Sequence, residues 1–374
     1  MTSDVLTLRI DPFVVGLEGG ASIVSIEGHE QVSRPFRYWV TLRSEMLDVA
    51  AVRGTVATFR IEDRHGNVRL VSGIVAGVEA VATQSLGQSV WRLKLVPRPF
   101  TTSWRHGFRI FQEMSVPEIV KKVFADAGIE DEYFRWPDGI DGRYPKREYC
   151  VQYDESEWSF VSRLLEEEGI WYTFEHAAEP VDVGAHVMVL GETSEEAAEQ
   201  SLSFLEHVWR APDGAEGSVA AWRVESESRA SIKAVALDDY DMRVPSKPLE
   251  VQAPATSAQA KPIDEADTVP RREWYEYPGR YVDEAVGKRL ARSRLEELRG
   301  RRRQLRATTN ALYLQTGRRF ELQQHPFADG WYFLTRLGMT IRMEGDSTEG
   351  ATGQAWECSI EAVPQDQPFR PHRA

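Results

Sequence analysis

Apolar and polar residues alternate with a period of two at both ends of the chain, and this alternation constrains the fold more than any other feature. The apolar positions are Leu6, Leu8 and Ile10 near the start, then Ala57, Phe59 and Ile61, and finally Trp356, Cys358 and Ile360. A period of two buries one face of a strand. Turn-forming residues at 62–67 predict a hairpin within the first part. The sequence therefore predicts a β-rich part at each end.

The middle of the chain has helical periodicity instead. Ser115 and Glu118 have the spacing of a capping box, and Gly128 follows the apolar stripe as a stop signal. We predict that a second helix starts at Asp154 with Glu157 and ends at Gly169. Together these signals predict an α/β segment between the two β-rich parts.

The second β-rich part is interrupted. Residues 245–270 contain five prolines among small and polar residues, which predicts a surface strap too polar for a core. A basic helix follows, with apolar residues at Val282, Val286, Leu290, Leu295 and Leu298. Strands resume after residue 305.

Charge, cysteine content and motifs exclude several functions. The 45 Lys and Arg residues against 58 Asp and Glu give a net charge of −13, which disfavours nucleic acid as a partner. Cys150 and Cys358 are too few and too far apart for a zinc site or disulfide scaffold, so we expect buried thiols. The chain has no phosphate-binding loop and no paired metal-binding histidines, so no cofactor or metal is expected. Its start lacks a secretory signal, which predicts synthesis in the cytoplasm.

Three short runs are candidate functional sites. Glu166–Glu168 could supply the paired carboxylates of a cell-wall glycosidase, or be a solvated acidic helix end, or face a basic partner surface. The aromatic runs 170–172 and 331–333 could stack on sugars in a carbohydrate-binding module, but such runs are typical of core strands. The basic run 298–306 favours ion pairing within or between subunits over nucleic-acid binding.

Several longer motifs, in the same order and spacing, closely resemble VgrG, the tip protein of type VI secretion systems. They lie at 95–98 (LVPR), 108–112 (FRIFQ), 117–120 (PEIV), 147–156 (REYCVQYDES), 160–172 (FVSRLLEEEGIWY), 277–281 (YPGRY) and 368–371 (PFRP). The resemblance extends over essentially the whole chain. In VgrG the last motif leads into an OB-fold and a trimeric needle, so we expect the spike to lie outside the present 374 residues.

The resemblance implies an α+β, mainly β fold like a phage tail hub, with two antiparallel β-barrels and an α/β layer inserted between them. We assign the first barrel to 1–100, the layer to 101–203, the second barrel to 204–240 and 305–365, the strap and basic helix to 241–304, and a junction tail to 366–374.

The function implied is that of a structural, non-enzymatic homotrimer that adapts a sixfold tube to a threefold spike. Its implied partners are a hexameric Hcp-like tube protein, the spike tip protein, effectors or adaptors, and baseplate proteins, with no nucleic acid. It would be assembled in the cytoplasm and secreted by the type VI apparatus without a signal peptide. No catalytic, cofactor-binding or metal-binding residue is implied.

Overall fold

The computed structural model describes residues 9–14, 17–62, 67–83, 89–176, 186–195, 197–210, 219–254, 272–343 and 355–373. Its strands are β1 (Arg9–Val14), β2 (Leu17–Gln31), β3 (Arg34–Leu47), β4 (Val56–Glu62), β5 (Val68–Thr83), β6 (Ser89–Val96), β7 (His106–Phe111), β8 (Phe134–Arg135), β9 (Cys150–Ser156), β10 (Trp171–His176), β11 (His186–Gly191), β12 (Glu199–His207), β13 (Ala220–Ser228), β14 (Ala234–Leu237), β15 (Val251–Pro254), β16 (Glu273–Glu276), β17 (Arg303–Thr309), β18 (Arg319–Gln323), β19 (Gly330–Arg342) and β20 (Ala355–Pro364). The α-helices are α1 (Val49–Val52), α2 (Val116–Asp126), α3 (Glu157–Glu168) and α4 (Glu284–Arg299), and short 3₁₀ helices cover Arg98–Trp104 and Asp131–Tyr133.

A 12-stranded sheet combines the two β-rich parts in the order β1-β4-β5-β6-β3-β2-β19-β18-β12-β13-β17-β20. Its second half closes into a six-stranded barrel because β19 also pairs with β20. The halves meet where β2 pairs antiparallel with β19, for example Ile26 opposite Ile341. The mainly β, hub-like fold class is thus confirmed.

One strand departs from the expected antiparallel pattern. Strand β12 runs parallel to both of its barrel neighbours, with Glu206 opposite Ala220 of β13 and Leu205 opposite Leu322 of β18. A period-two pattern specifies which face of a strand is buried, but it does not specify strand direction. The parallel direction of β12 therefore could not be predicted from the sequence pattern.

The predicted alternation and most helix signals agree with the structure. Phe59 and Ile61 are buried, whereas Arg60 between them is partly exposed. The hairpin is present as antiparallel β4 and β5, although its turn at 63–66 lies outside the described residues, as do Leu6 and Leu8.

Helix α2 begins with the predicted capping box, in which the Ser115 N–H donates to Glu118 at 2.7 Å. Helix α3 ends at Gly169 as predicted, with φ of +75°. Its predicted start at Asp154 is wrong. The hydroxyl of Ser156 caps the helix by accepting the Ser159 N–H at 3.1 Å, while Asp154 belongs to β9.

Residues 234–254 differ from the prediction. Strand β14, predicted as part of the second barrel, pairs instead with β15 and β16 in a separate three-stranded sheet. Helix α4 packs on this sheet through Ala291 and Leu295, and Leu249 and Val251 are only 2% and 4% exposed. The prediction that 245–270 is too polar for a core is therefore wrong over 249–253. Apolar residues alternate there, but the Pro-rich composition of the whole segment obscures this short pattern. Residues 255–270 lie outside the described part of the chain.

A buried arginine connects the two halves of the large sheet. Arg69 of β5 forms a salt bridge to Glu30 of β2 and also donates to the carbonyl oxygens of Leu312 and Leu314, which lie between β17 and β18. Tyr38 of β3 donates to the same carboxylate. Both charged side chains are at most 5% exposed. One guanidinium thus holds the first half against the second.

The environment of Glu30 stabilises its charged form. Burial alone raises the pKa of this carboxyl, but the Arg69 guanidinium and the nearby His176 outweigh burial and lower the pKa from 4.5 to about 2. Because the pKa is depressed in the folded state, the resulting stability is complete above the unfolded pKa and is lost as the pH falls from about 4.5 towards 2.

We predict that Arg69→Met lowers the free energy of unfolding by about 3–5 kcal/mol at pH 7, because it leaves a buried carboxylate without its counter-charge. Arg60→Met is the matched control. Its partner Glu62 is partly exposed, so the expected loss is below about 1 kcal/mol. Urea titrations at pH 7 would measure both. Equal losses in the two variants would contradict the role given to Arg69.

Candidate functional site

The three consecutive glutamates 166–168 end helix α3 and are held by arginines from distant segments. Glu166 accepts from Arg34 at 2.8 Å. Arg147 bridges the other two, at 2.8 Å from Glu167 and 2.7 Å from Glu168. These contacts compensate negative charge at the negative end of a helix dipole.

Three more arginines complete this cluster, which we call the charged junction. Glu167 also accepts from Arg163 at 3.2 Å and from Arg280 at 2.9 Å, and Glu168 accepts from Arg289 of α4 at 2.6 Å. The prediction of a solvated acidic helix end is wrong, since Glu166 and Glu168 are 5% and 6% exposed. The basic surface that they face belongs to the same chain.

The electrostatics of the junction favour the charged forms of Glu167 and Arg147. Burial raises the pKa of Glu167, but Arg147, Arg163 and Arg280 outweigh burial and lower it. For Arg147, burial is likewise outweighed by Glu168 and Glu167, so its pKa is raised. A glycosidase needs a carboxylic acid with a raised pKa. The shift at Glu167 is in the opposite direction, so this geometry disfavours the glycosidase hypothesis.

The C-terminal segment crosses the charged junction. Arg370 lies 2.8 Å from Glu296 of α4 and donates to the carbonyl oxygens of Gly169 and Glu192 at 3.0 and 2.6 Å. The Gln367 side chain donates to the carbonyl oxygen of Gly300 at 2.7 Å. The 367–373 segment is therefore fixed to the ends of both α3 and α4.

A cleft of about 1450 Å³ opens beside the junction. Its walls come from 145–151, from α3 and from 275–283, and they include the aromatic rings of Tyr149, Tyr275 and Tyr277. Charged side chains in its lining, such as Arg147 and Arg280, are paired with Glu167 within the chain, and tyrosine rings lie beside them.

The aromatic runs proposed as sugar platforms are mostly core. Trp171, Tyr172, Tyr332 and Phe333 are buried, and the rings of Trp171 and Phe333 lie 5.5 Å apart. The expectation that such runs pack in core strands is therefore met, and these residues offer no exposed surface for carbohydrate. The exposed aromatic side chains of the middle strands were not predicted. Alternation along a strand does not by itself show which of its two faces packs on a helix.

The basic run 298–306 makes contacts inside the chain. Arg299 donates to the carbonyl oxygen of Ile232 at 2.6 Å, Arg303 lies 2.5 Å from Asp366, and Arg306 lies 3.8 Å from Glu361. Intramolecular ion pairing, one of the two predicted roles, is thus present.

Metal and thiol chemistry find no geometric support in the described ranges. No group of three or more His, Cys, Asp or Glu side chains there could hold a metal ion. Both cysteines are buried and free, and burial raises the pKa of the Cys358 thiol to about 12. Among the described helices, none has the length and hydropathy needed to cross a membrane.

We predict that Glu168→Gln lowers the free energy of unfolding by about 2 kcal/mol, because two arginines lose a buried partner. The matched control is Glu284→Gln at the start of α4. Its ion pair with Lys288 is more than half exposed and screened by solvent, so no measurable loss is expected. Thermal unfolding would compare them. A Glu168 variant as stable as the control would show that the junction is not structural.

Comparison with known proteins agrees with the fold. The model of the phage tail baseplate hub (GPD) family matches residues 29–345. The type VI secretion system spike protein VgrG1b of Pseudomonas aeruginosa is 30% identical over 364 residues, covering 94% of this chain and 46% of that protein. For VgrG4b of the same bacterium, identity is 33% over 320 residues, covering 84% and 37%.

A solved structure is also similar. It is the E. coli c3393 protein, described as a component of the type VI secretion system that resembles the T4 bacteriophage tail proteins gp27 and gp5. The TM-score is 0.67 at 19% identity, over 98% of this chain and 80% of that one. The chain spans less than half the length of the two Pseudomonas relatives. Since the family match runs through both halves of the large sheet, the chain belongs to the phage tail baseplate hub family and is a relative of the type VI VgrG spike proteins.

Proposed function

We propose that the chain is the hub of a type VI secretion spike, a homotrimer that adapts a sixfold tube to a threefold spike. The observation that carries this proposal is the large sheet, in which two six-stranded halves are joined by the β2 and β19 pairing. Three such chains around one axis would present six barrel-like units.

This arrangement addresses a symmetry mismatch. A closed trimer has three equivalent positions, whereas a hexameric tube ring has six. Two similar units per subunit supply six quasi-equivalent contacts on the tube side and three on the spike side. The hydrogen bonds from Arg69 to the carbonyl oxygens of Leu312 and Leu314 support this role, because they connect the two halves of one chain.

The proposed domain organisation follows the sequence division except at 234–240. A first barrel at 1–100 and a second at 204–233 and 305–365 would contact the tube, with the α/β layer at 101–203 between them and 234–304, which holds the separate three-stranded sheet and α4, packed beside the layer. The junction tail at 366–374 would lead towards the spike. The contacts of Arg370 with α3 and α4 support this, because they fix where the chain leaves the hub.

The partners proposed are an Hcp-like tube protein, the spike tip, effectors or adaptors, and baseplate proteins. The hub would assemble in the cytoplasm and leave through the type VI apparatus itself. We propose no enzymatic activity for this chain. The alternative of a cell-wall glycosidase predicts that joint replacement of Glu166, Glu167 and Glu168 by Gln abolishes peptidoglycan turnover, whereas a hub has no turnover to lose.

We predict that the purified chain co-sediments with assembled rings of the hexameric tube protein but not with the same protein as separate subunits. Six contacts made together give much higher avidity than one. Binding should weaken as salt increases if the net charge of −13 steers docking.

The control uses tube rings of an unrelated contractile system. Equal binding to both kinds of ring, or equal binding to rings and separate subunits, would contradict the proposed function.

A further inference from the structure

The strands β7 and β9 form a two-stranded ribbon that displays a large apolar surface. Phe108 and Ile110 of β7 lie on the same side as Tyr153 of β9 and Tyr149 just before it, and each is more than half exposed. The rings of Phe108 and Tyr153 contact edge to face at 5.2 Å. We call this surface the ribbon face.

The ribbon face is held rigidly because the opposite side of the ribbon is part of the core. Phe111 and Cys150 are paired across the strands and buried, and the Phe111 ring stacks on Phe160 of α3 at 5.4 Å. In the described residues the ribbon pairs with no other strand, apart from a single bridge between Met114 and Arg147. Four large hydrophobic side chains are therefore displayed on a fixed support.

A second apolar surface lies next to it. Tyr240 and Met242, after β14, and Tyr275 and Tyr277, in and after β16, are each more than half exposed. We call this the tyrosine face. Tyr149 of the ribbon face and Tyr275 and Tyr277 of the tyrosine face line the same cleft. Across it, Arg243 lies 3.5 Å from Glu148, so the two faces are adjacent.

We propose that the ribbon face of one copy of this chain packs on the tyrosine face of the next copy around a threefold axis. This inference rests on the proposed trimer and identifies its contact surface. A cyclic trimer has heterologous interfaces, so each subunit must carry two different and mutually complementary patches. Subunits that surround an axis present these patches on neighbouring sides, and the ribbon and tyrosine faces are neighbours.

The area is appropriate for a stable contact. Aromatic side chains bury roughly 150–250 Å² each. Four large side chains per face, each more than half exposed, therefore provide roughly 400–500 Å² of the approximately 800 Å² per partner in a specific interface. Surrounding residues would supply the remainder. An exposed apolar patch of this size is comparable to the largest patch on a typical monomer, which is often functional.

The charges around the two faces favour a second copy of the chain as the occupant. Between and beside the two faces, Arg243 pairs with Glu148 at 3.5 Å and with Asp241 at 3.1 Å. Because these charges are compensated internally, apolar side chains remain as the surface that each face offers to a second copy.

The test uses two variants that each break one face. Phe108→Asp with Ile110→Asp disrupts the ribbon face, and Met242→Asp with Tyr277→Asp disrupts the tyrosine face. Light scattering should give three times the chain mass of 42.5 kDa for the wild type and a single chain mass for each variant. Phe327→Asp, at a site 91% exposed in the loop before β19, is the matched control and should remain trimeric.

Mixing the two variants distinguishes a heterologous contact from a self-complementary one. Each variant retains the face that the other lacks, so an equimolar mixture should form a dimer of one copy of each and no trimer. A mixture that remains monomeric would overturn the pairing of these faces. Trimers formed by either variant alone would also overturn it, while normal ring binding by those trimers would leave the proposed hub function intact.

If an Asp variant unfolds, as shown by circular dichroism, Phe108→Ser with Ile110→Ser replaces it. The trimer should then dissociate at least tenfold more readily than the wild type, and unchanged dissociation would contradict the proposal. A wild type that is monomeric at high concentration would overturn this inference directly. Ring binding by such a monomer would show separately whether the proposed tube contact survives.

Discussion

The Arg69 guanidinium is the interaction on which the arrangement of the two halves depends. It reaches from β5 to Glu30 of β2 and to the backbone carbonyls of Leu312 and Leu314, which lie between strands β17 and β18 of the closed barrel. Arginine suits this position because its planar fork offers five donors and remains charged when buried. A hydrophobic residue could fill the same space, but it would leave those backbone acceptors and the carboxylate without their arginine donor.

The charged junction uses the same chemistry at the end of α3. Its arginines come from 34, 147, 163, 280 and 289, and Arg370 of the C-terminal segment adds a contact to the carbonyl oxygen of Gly169. Segments that are far apart in the sequence are therefore fixed relative to one helix end. We infer that the α/β layer positions the rest of the hub through arginine contacts more than through additional strand pairing.

The sequence predicted local structure well and long-range partners poorly. Alternation at Phe59 and Ile61, together with the capping box at Ser115, identified elements that the structure contains, because such patterns depend on residues a few positions apart. The pairing of β14 with β15 and β16 was missed, since a short alternating run does not specify its partner strand. The contacts of Glu166–Glu168 were not predicted for a related reason. Most of the arginines that bind these carboxylates are distant in the sequence and come close only in the folded chain.

Charge and apolar surface are distributed so that the two contacts proposed for the hub, between subunits and with the tube, depend on different interactions. Charged side chains in the junction and on the ribbon are largely paired inside the chain, so the proposed contacts between subunits are left to apolar faces. Apolar association is strengthened by excluded salts such as sulfate, whereas electrostatically steered docking is weakened by salt. In the proposed trimer, subunit association should therefore persist at salt concentrations that release the proposed tube ring. This difference would let a preassembled hub engage and leave the tube without dissociating into subunits.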